Sequence, residues 1–306
     1  MSIIEQAARR LEELRRSGVD VSSVSPRSAG PAQAVPPAVR HPAVQRPVVR
    51  EVTAQPRPEP TAHSRKVEID LARLAAMGYL VPDAPRLQIA DEFRVIKRPL
   101  LTNVHGESAA PVKDANLIMV TSSLPGEGKT FVAVNLAISL AMELDTTVLL
   151  VDADVARPSV LSRLGLPQSA GLLDVLTDPG MDMSEVMLRT NLEKLSLLPA
   201  GKPQGRATEL LASGAMDKLL GELSTRYPDR IVVFDAPPLL PSTESRVLAS
   251  RMGQVIMVVE ADRTPQRSVA QALATIEACP VVMTLLNKTS RSEVGSYHGY
   301  YGPLED

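Results

Sequence analysis

Nine consecutive residues, Ser122-Ser123-Leu124-Pro125-Gly126-Glu127-Gly128-Lys129-Thr130, have the types and spacing of a loop that wraps phosphate. An apolar strand pattern precedes them and a helical pattern follows, which is the context such a loop requires. Gly126 and Gly128 free the backbone to turn its N–H groups inward, where a helix N-terminus adds positive potential. Lys129 is then placed to reach the β- and γ-phosphates of a nucleotide such as ATP, and the Thr130 hydroxyl to ligate Mg²⁺. Pro125, Glu127 and Phe131 complete the segment expected to contact the nucleotide. One departure stands out: Ser123 occupies the place, six residues before the lysine, where such loops usually carry glycine.

Two further strand patterns end in acids. Val151-Asp152-Ala153-Asp154 closes one, and Ile231-Val232-Val233-Phe234-Asp235 closes another. In open α/β sheets ligands sit at the carboxyl ends of strands, so Asp152, Asp154 and Asp235 are expected beside the phosphate loop. Such carboxylates hold Mg²⁺ and its waters or accept a proton from an attacking hydroxyl. Helix capping is the structural alternative for Asp152 and Asp154. Asn287-Lys288, after the last strand pattern, reads either as a frame for the adenine base or as a simple turn.

Three of the five tyrosines, Tyr297, Tyr300 and Tyr301, fall within five residues near the end of the sequence, among Gly, Ser and Pro. Rings packed on the domain surface would explain them, and so would a mobile set of phosphate acceptors, whose hydroxyls become nucleophiles once a carboxylate takes the proton.

The elements that must position these groups are short apolar runs, Leu117–Val120, Val148–Val151, Leu195–Leu198, Ile231–Phe234, Val255–Val259 and Val281–Leu286. They alternate with helical stretches at Lys129–Met142, Glu209–Arg226, Thr243–Arg251 and Pro265–Glu277. Strands apolar on both faces, separated by helices, predict a doubly wound, mostly parallel α/β sheet over residues 66–290. The preceding sequence differs in kind. Nine of the 26 prolines lie between Pro26 and Pro60, without helical or strand periodicity, so residues 18–65 read as a disordered tether. Residues 1–17 carry Ile3, Ala7, Leu11 and Leu14 at helical spacing, either a frayed amphipathic helix or a docking helix for a partner. Residues 291–306 form the expected flexible tail.

Composition narrows the functions. With 33 Lys+Arg against 35 Asp+Glu, and no basic stripe studded with aromatics, the 306-residue chain is not read as a nucleic-acid binder. A single cysteine, Cys279, excludes an internal disulfide framework. No apolar run approaches the roughly 18 residues of a membrane span, so a cytoplasmic protein is expected.

Together these segments resemble the bacterial tyrosine kinases, and most closely the autokinases associated with exosortase and exopolysaccharide loci. The resemblance rests on TSSLPGEGKT, VLLVDADVARPS, LLPAGKPQGRATELLAS, IVVFDAPPLL and the tyrosine cluster, over roughly residues 89–301. It implies a P-loop NTPase fold of the partitioning-ATPase-like type, with Lys129, Asp152, Asp154 and Asp235 catalytic and Thr130, Asp152 and Asp235 around Mg²⁺. It implies ATP as phosphoryl donor and Tyr297, Tyr300 and Tyr301 as acceptors. An oligomerisation motif of Glu-x-x-Arg-x-x-Arg type corresponds to Asp91, Arg94 and Lys97, which implies a homo-oligomeric ring in which one tail reaches its neighbour's site. Asp91 and Lys97 depart from that motif, and lysine cannot make arginine's bidentate pair. Further implied partners are a membrane-embedded activator of the chain-length-determinant class, which would hold the protein at the inner face of the membrane, and a tyrosine phosphatase.

A different class remains open: a partitioning-type switch ATPase without kinase activity. Such ATPases carry a second lysine early in the loop, at the position held here by Leu124, and they lack the tyrosine cluster.

Overall fold

The computed structural model describes residues 64–82, 88–226 and 229–289. The expected N-terminal helix, nearly all of the tether, and the tail with Tyr297, Tyr300 and Tyr301 lie outside the described residues. The described residues fall in one compact unit.

At its centre is an eight-stranded sheet. In chain order the strands are β1 (Arg65–Lys66), β2 (Leu117–Ser122), β3 (Thr147–Asp152), β4 (Leu188–Arg189), β5 (Leu195–Leu198), β6 (Arg230–Asp235), β7 (Gln254–Glu260) and β8 (Val281–Asn287). Their spatial order is β1-β4-β5-β3-β6-β2-β7-β8, and every pairing is parallel except β4 with β5. The doubly wound, mostly parallel sheet expected from the sequence is therefore the architecture formed.

Alternation of side chains across the strands builds two cores. Leu117, Met119, Leu149, Val151, Val232 and Phe234 point to one face, Ile118, Val120, Val148, Leu150, Ile231 and Val233 to the other, and all are at most 1% exposed. This explains strands with no polar face: a parallel sheet is covered on both sides. Among the described residues the covering helices are α1 (Leu71–Ala76), α2 (Gln88–Val104), α3 (Lys129–Ala141), α4 (Val160–Arg163), α5 (Leu172–Thr177), α6 (Met183–Val186), α7 (Ala207–Leu211), α8 (Gly214–Thr225), α9 (Thr243–Ala249) and α10 (Gln266–Leu273).

The helix expected over Glu209–Arg226 is two helices, α7 and α8. Ser213 ends the first with its Oγ on the Leu210 carbonyl and caps the second by accepting the Met216 N–H. The sheet also reaches back into the expected tether, because Arg65 pairs in β1 and the Ser64 hydroxyl donates to the Ser184 carbonyl.

Helix α2 was not foreseen as an element, although Asp91, Arg94 and Lys97 all lie on it. Phe93, Lys97 and Leu100 form its buried stripe, so a lysine stands where an apolar residue normally would. Its Nζ donates to the Ser139 carbonyl at 2.7 Å and pairs with Glu143 at 2.7 Å, both at the C-terminal end of α3. Asp91 and Arg94 are instead exposed and pair with each other at 2.5 Å. Of the three residues of the expected oligomerisation motif, Lys97 is thus committed within its own chain, and Asp91 and Arg94 remain on the surface.

Helix α3 is the element that holds the site in place. From Val132 to Leu140 it is buried continuously between the sheet and α2. Asn135 on α3 pins the segment before α2, accepting the Leu80 N–H at 2.6 Å and donating to the Phe131 carbonyl. The Tyr79 ring packs on Phe131, with centroids 4.9 Å apart.

Candidate active site

The phosphate loop joins β2 to α3. Gly126 and Gly128 adopt φ of 91° and 98°, a region L-residues rarely enter. Gly128 is doubly required, because a Cβ there would lie 2.1 Å from Asn287 Nδ2. Ser123 is not in the left-handed region, so the glycine usual at that place is not needed. Its hydroxyl is buried toward Met257 on β7.

Strand register does the rest of the placement. Asp152 on β3 lies directly opposite Asp235 on β6, and Asp235 opposite Val120 on β2, so both acids sit at the carboxyl ends of strands beside the loop. Both are at most 1% exposed. Lys129 Nζ is 2.6 Å from Asp154 Oδ2 and 3.7 Å from Asp235 Oδ1, largely shielded from solvent. Asp152 Oδ2 accepts the N–H groups of Ser159 and Val160 at 3.0 and 2.9 Å, bracing the start of α4, while Asp154 Oδ1 accepts the Arg157 N–H. The capping alternative therefore holds for one oxygen of Asp152. Its Oδ1 and both oxygens of Asp235 are buried without a hydrogen-bond partner.

These acids are strained electrostatically. Burial pushes the Asp152 carboxyl up to about 7, reinforced by the charge of Asp235 across the strand pair. Burial pushes Asp235 up to about 6, against the pull of Lys129 and the Thr130 hydroxyl. Burial disfavours the Lys129 ammonium, but Asp235 and then Asp154 overcome it and leave its pKa raised. The lysine is thus firmly charged, while the two acids hover near neutrality.

Above this group opens a cleft of about 790 Å³. Of the residues expected to contact nucleotide, Pro125, Gly126, Gly128, Lys129, Thr130, Phe131 and Asn287 line it, as does Asp154. Glu127 does not: its side chain is 2% exposed and turned behind the loop, where it accepts the Leu124 N–H. The Asn287 amide donates to the Glu127 carbonyl at 2.9 Å, which holds that side chain against the loop.

The residues present suit a nucleotide and Mg²⁺. A magnesium ion takes few protein ligands, keeping waters and phosphate oxygens as the rest. The orphaned oxygens of Asp152 and Asp235, with the Thr130 hydroxyl, offer that kind of set. No group of three or more His, Cys, Asp or Glu forms a self-sufficient metal cage among the described residues.

Sequence reasoning missed several residues of the cleft. Ser159 sits 3.1 Å from the Thr130 hydroxyl. Arg163 and Glu244 also line the cleft. Arg157, of the VLLVDADVARPS segment, lines it too, and Lys288, read from the sequence together with Asn287, donates to the Gly126 carbonyl at 2.8 Å from a left-handed backbone. A single serine, arginine or glutamate carries no signal of its own. Only the position of Ser159 just after Arg157-Pro158 hinted at it.

Comparison with known proteins agrees with this geometry. Residues 115–288 match the model of a family described as an AAA domain. The chain is 30% identical over 224 residues to tyrosine-protein kinase YwqD of Bacillus subtilis (strain 168), covering 72% of this chain and 90% of that one. It is also 30% identical over 245 residues to the succinoglycan biosynthesis transport protein ExoP of Rhizobium meliloti (strain 1021), but spans only 30% of that longer protein. Among solved structures, the kinase domain of VpsO superposes with a TM-score of 0.56 at 28% identity, covering 66% of this chain and 95% of that domain. With the loop, the lysine and the paired acids in place, the chain belongs to the bacterial tyrosine-protein kinases, built on an AAA-type P-loop domain.

Proposed function

We propose that this protein is an ATP-dependent protein-tyrosine autokinase that regulates exopolysaccharide synthesis or export and phosphorylates Tyr297, Tyr300 and Tyr301 in trans. The observation that carries this reading is a firmly charged Lys129, ion-paired with Asp154 and Asp235, beside a buried Asp152 whose carboxyl is pushed up to about 7.

Each group then has a task. Backbone N–H groups around Gly126 and Gly128, with the N-terminus of α3, cradle phosphate oxygens. Lys129 stabilises negative charge on the phosphoryl group as it transfers. Asp152 accepts the proton of the tyrosine hydroxyl; a base tuned close to operating pH balances availability against basicity. Thr130, Asp152 and Asp235 hold Mg²⁺, which when bound offsets charge on the β- and γ-phosphates. Asp154 orients Lys129. Pro125, Phe131 and Asn287 flank the nucleotide.

Exposed Asp91 and Arg94 on α2 are surface groups available for pairing subunits in a ring. Among the described residues no helix is long and apolar enough to cross a membrane. We assign membrane association to an embedded activator of the chain-length-determinant class at the inner face, and reversal of the phosphorylation to a tyrosine phosphatase.

A mixing experiment tests the trans step. A Lys129→Met chain with its tyrosines intact is incubated with Mg²⁺-ATP and a chain carrying Tyr297, Tyr300 and Tyr301→Phe. Phosphotyrosine on the Lys129→Met chain, in the mixture alone, is the expected result. ATP hydrolysis with no phosphotyrosine in the mixture or the wild type would overturn the kinase reading in favour of a switch ATPase.

A further inference from the structure

The phosphate loop is held from behind by residues that no motif contains. Glu127 Oε2 accepts the Leu124 N–H at 2.7 Å, and its Oε1 accepts the Thr264 hydroxyl. Thr264 lies in the turn between β7 and α10, and its oxygen also accepts the Glu260 N–H at 3.2 Å. Among the described residues Glu127 has no ion-pair partner, so a buried carboxylate depends on these two hydrogen bonds. Two more ties run in parallel. Asn287 donates to the Glu127 carbonyl, and Lys288 bridges the Gly126 carbonyl to Glu260, 3.1 Å away.

A negative charge inside an anion-binding loop opposes the ligand unless it does something else. Here it occupies the Leu124 N–H, while Gly126, Gly128, Lys129 and Thr130 line the cleft. It also closes the chain across left-handed Gly126, and anchors it just before left-handed Gly128, positions with most conformational freedom to lose on binding. A loop ordered in advance loses less entropy when nucleotide arrives.

We propose that Thr264 is a positioning residue for nucleotide, acting through Glu127, so that the β7–α10 turn sets how tightly the phosphate loop binds. This rests on the nucleotide reading of the cleft. It adds a residue 137 positions away from Glu127 in sequence.

The test is calorimetric binding of a non-hydrolysable ATP analogue with Mg²⁺ to the full chain, with steady-state kinetics beside it. Thr264→Val and Thr264→Ala should each weaken Kd roughly 5- to 30-fold, a part of what a hydrogen bond to a charged group is worth. KM for ATP should rise in parallel, with kcat changing less than twofold. Thr264→Ser should restore Kd to within about twofold, because it keeps the hydroxyl. Glu127→Ala should weaken binding, and adding Thr264→Val to it should weaken it no further, the signature of one shared interaction. A role confined to folding would lower Tm while leaving Kd of the folded protein unchanged. Wild-type Kd in both Thr264 variants, or additive losses in the double variant, would overturn the inference while nucleotide binding stands. Failure of the wild type to bind the analogue would overturn the nucleotide reading itself and this inference with it.

Discussion

Replacing Asp152 by asparagine should stabilise the nucleotide-free protein while abolishing its chemistry. The carboxyl is moved by burial, and by Asp235 opposite it, from an ordinary 3.8 to about 7. That difference corresponds to about 4 kcal/mol of destabilisation when the group is forced to ionise in the folded state. The sign follows from proton binding. Between 3.8 and about 7 the folded state holds this proton and the unfolded state does not, so the stabilising contribution is complete at low pH. It is lost as pH rises through about 7. Asparagine keeps an oxygen to accept the Ser159 and Val160 N–H groups, and their pull on the carboxylate is already contained in the value of about 7. We expect a gain of about 4 kcal/mol at pH 8, seen as a rise in Tm of about 8–16 °C for a domain of this size. At pH 5 the folded wild type keeps the proton and only the unfolded chain ionises, so the gain should shrink to about 1.6 kcal/mol. Scanning calorimetry of wild type and Asp152→Asn in EDTA at both pH values measures it, with transfer to tyrosine expected to fall about 10²–10⁴-fold. A Tm that drops at pH 8, or rises equally at both pH values, would refute the electrostatic account of this site.

Four other outcomes follow from particular contacts. Gly128→Ala should abolish binding of ATP analogues in calorimetry, because its Cβ would meet Asn287 Nδ2 at 2.1 Å and the backbone φ is 98°. Lys97→Met should lower Tm by about 3–6 °C, since it strips the C-terminal end of α3 of a buried donor worth about 1–2 kcal/mol. Arg94→Ala, which removes an exposed pair, should move Tm by less than about 1 °C and yet reduce oligomer size in analytical ultracentrifugation. Phe234→Ala, at 0% exposure in β6, should cost about 3–5 kcal/mol in chemical denaturation.

Much of the site was legible because its chemistry depends on backbone geometry. Gly126 and Gly128 advertise left-handed turns, and apolar strands ending in Asp152 and Asp235 advertise acids at the ligand end of a sheet. Which acid meets which is set by register, and register comes from pairing of strands roughly 80 residues apart in sequence. Thr264 and Ser159 were invisible for the same reason: a hydroxyl in a loop gains meaning only from what folding brings beside it. Glu127 belongs to the segment expected to contact nucleotide, but membership of a loop does not set the direction of a side chain. The division between α7 and α8 was available in Ser213-Gly214, a cap followed by a poor helix former, and was obscured by the unbroken helical spacing around it. Lys97 shows the opposite failure. Its match to an oligomerisation motif implies a contact between subunits, whereas the carbonyl of Ser139 and the carboxylate of Glu143 make a buried place for it.

The central claim is that this cleft transfers phosphate to tyrosine. The most direct measurement is intact-mass and peptide mass spectrometry of purified wild type and Lys129→Met after incubation with Mg²⁺-ATP. It is run with and without the cytoplasmic segment of a chain-length-determinant activator. The account predicts phosphotyrosine at Tyr297, Tyr300 or Tyr301 in the wild type and none in Lys129→Met. Unmodified tyrosines in the wild type under both conditions, while ATP is consumed, would contradict it.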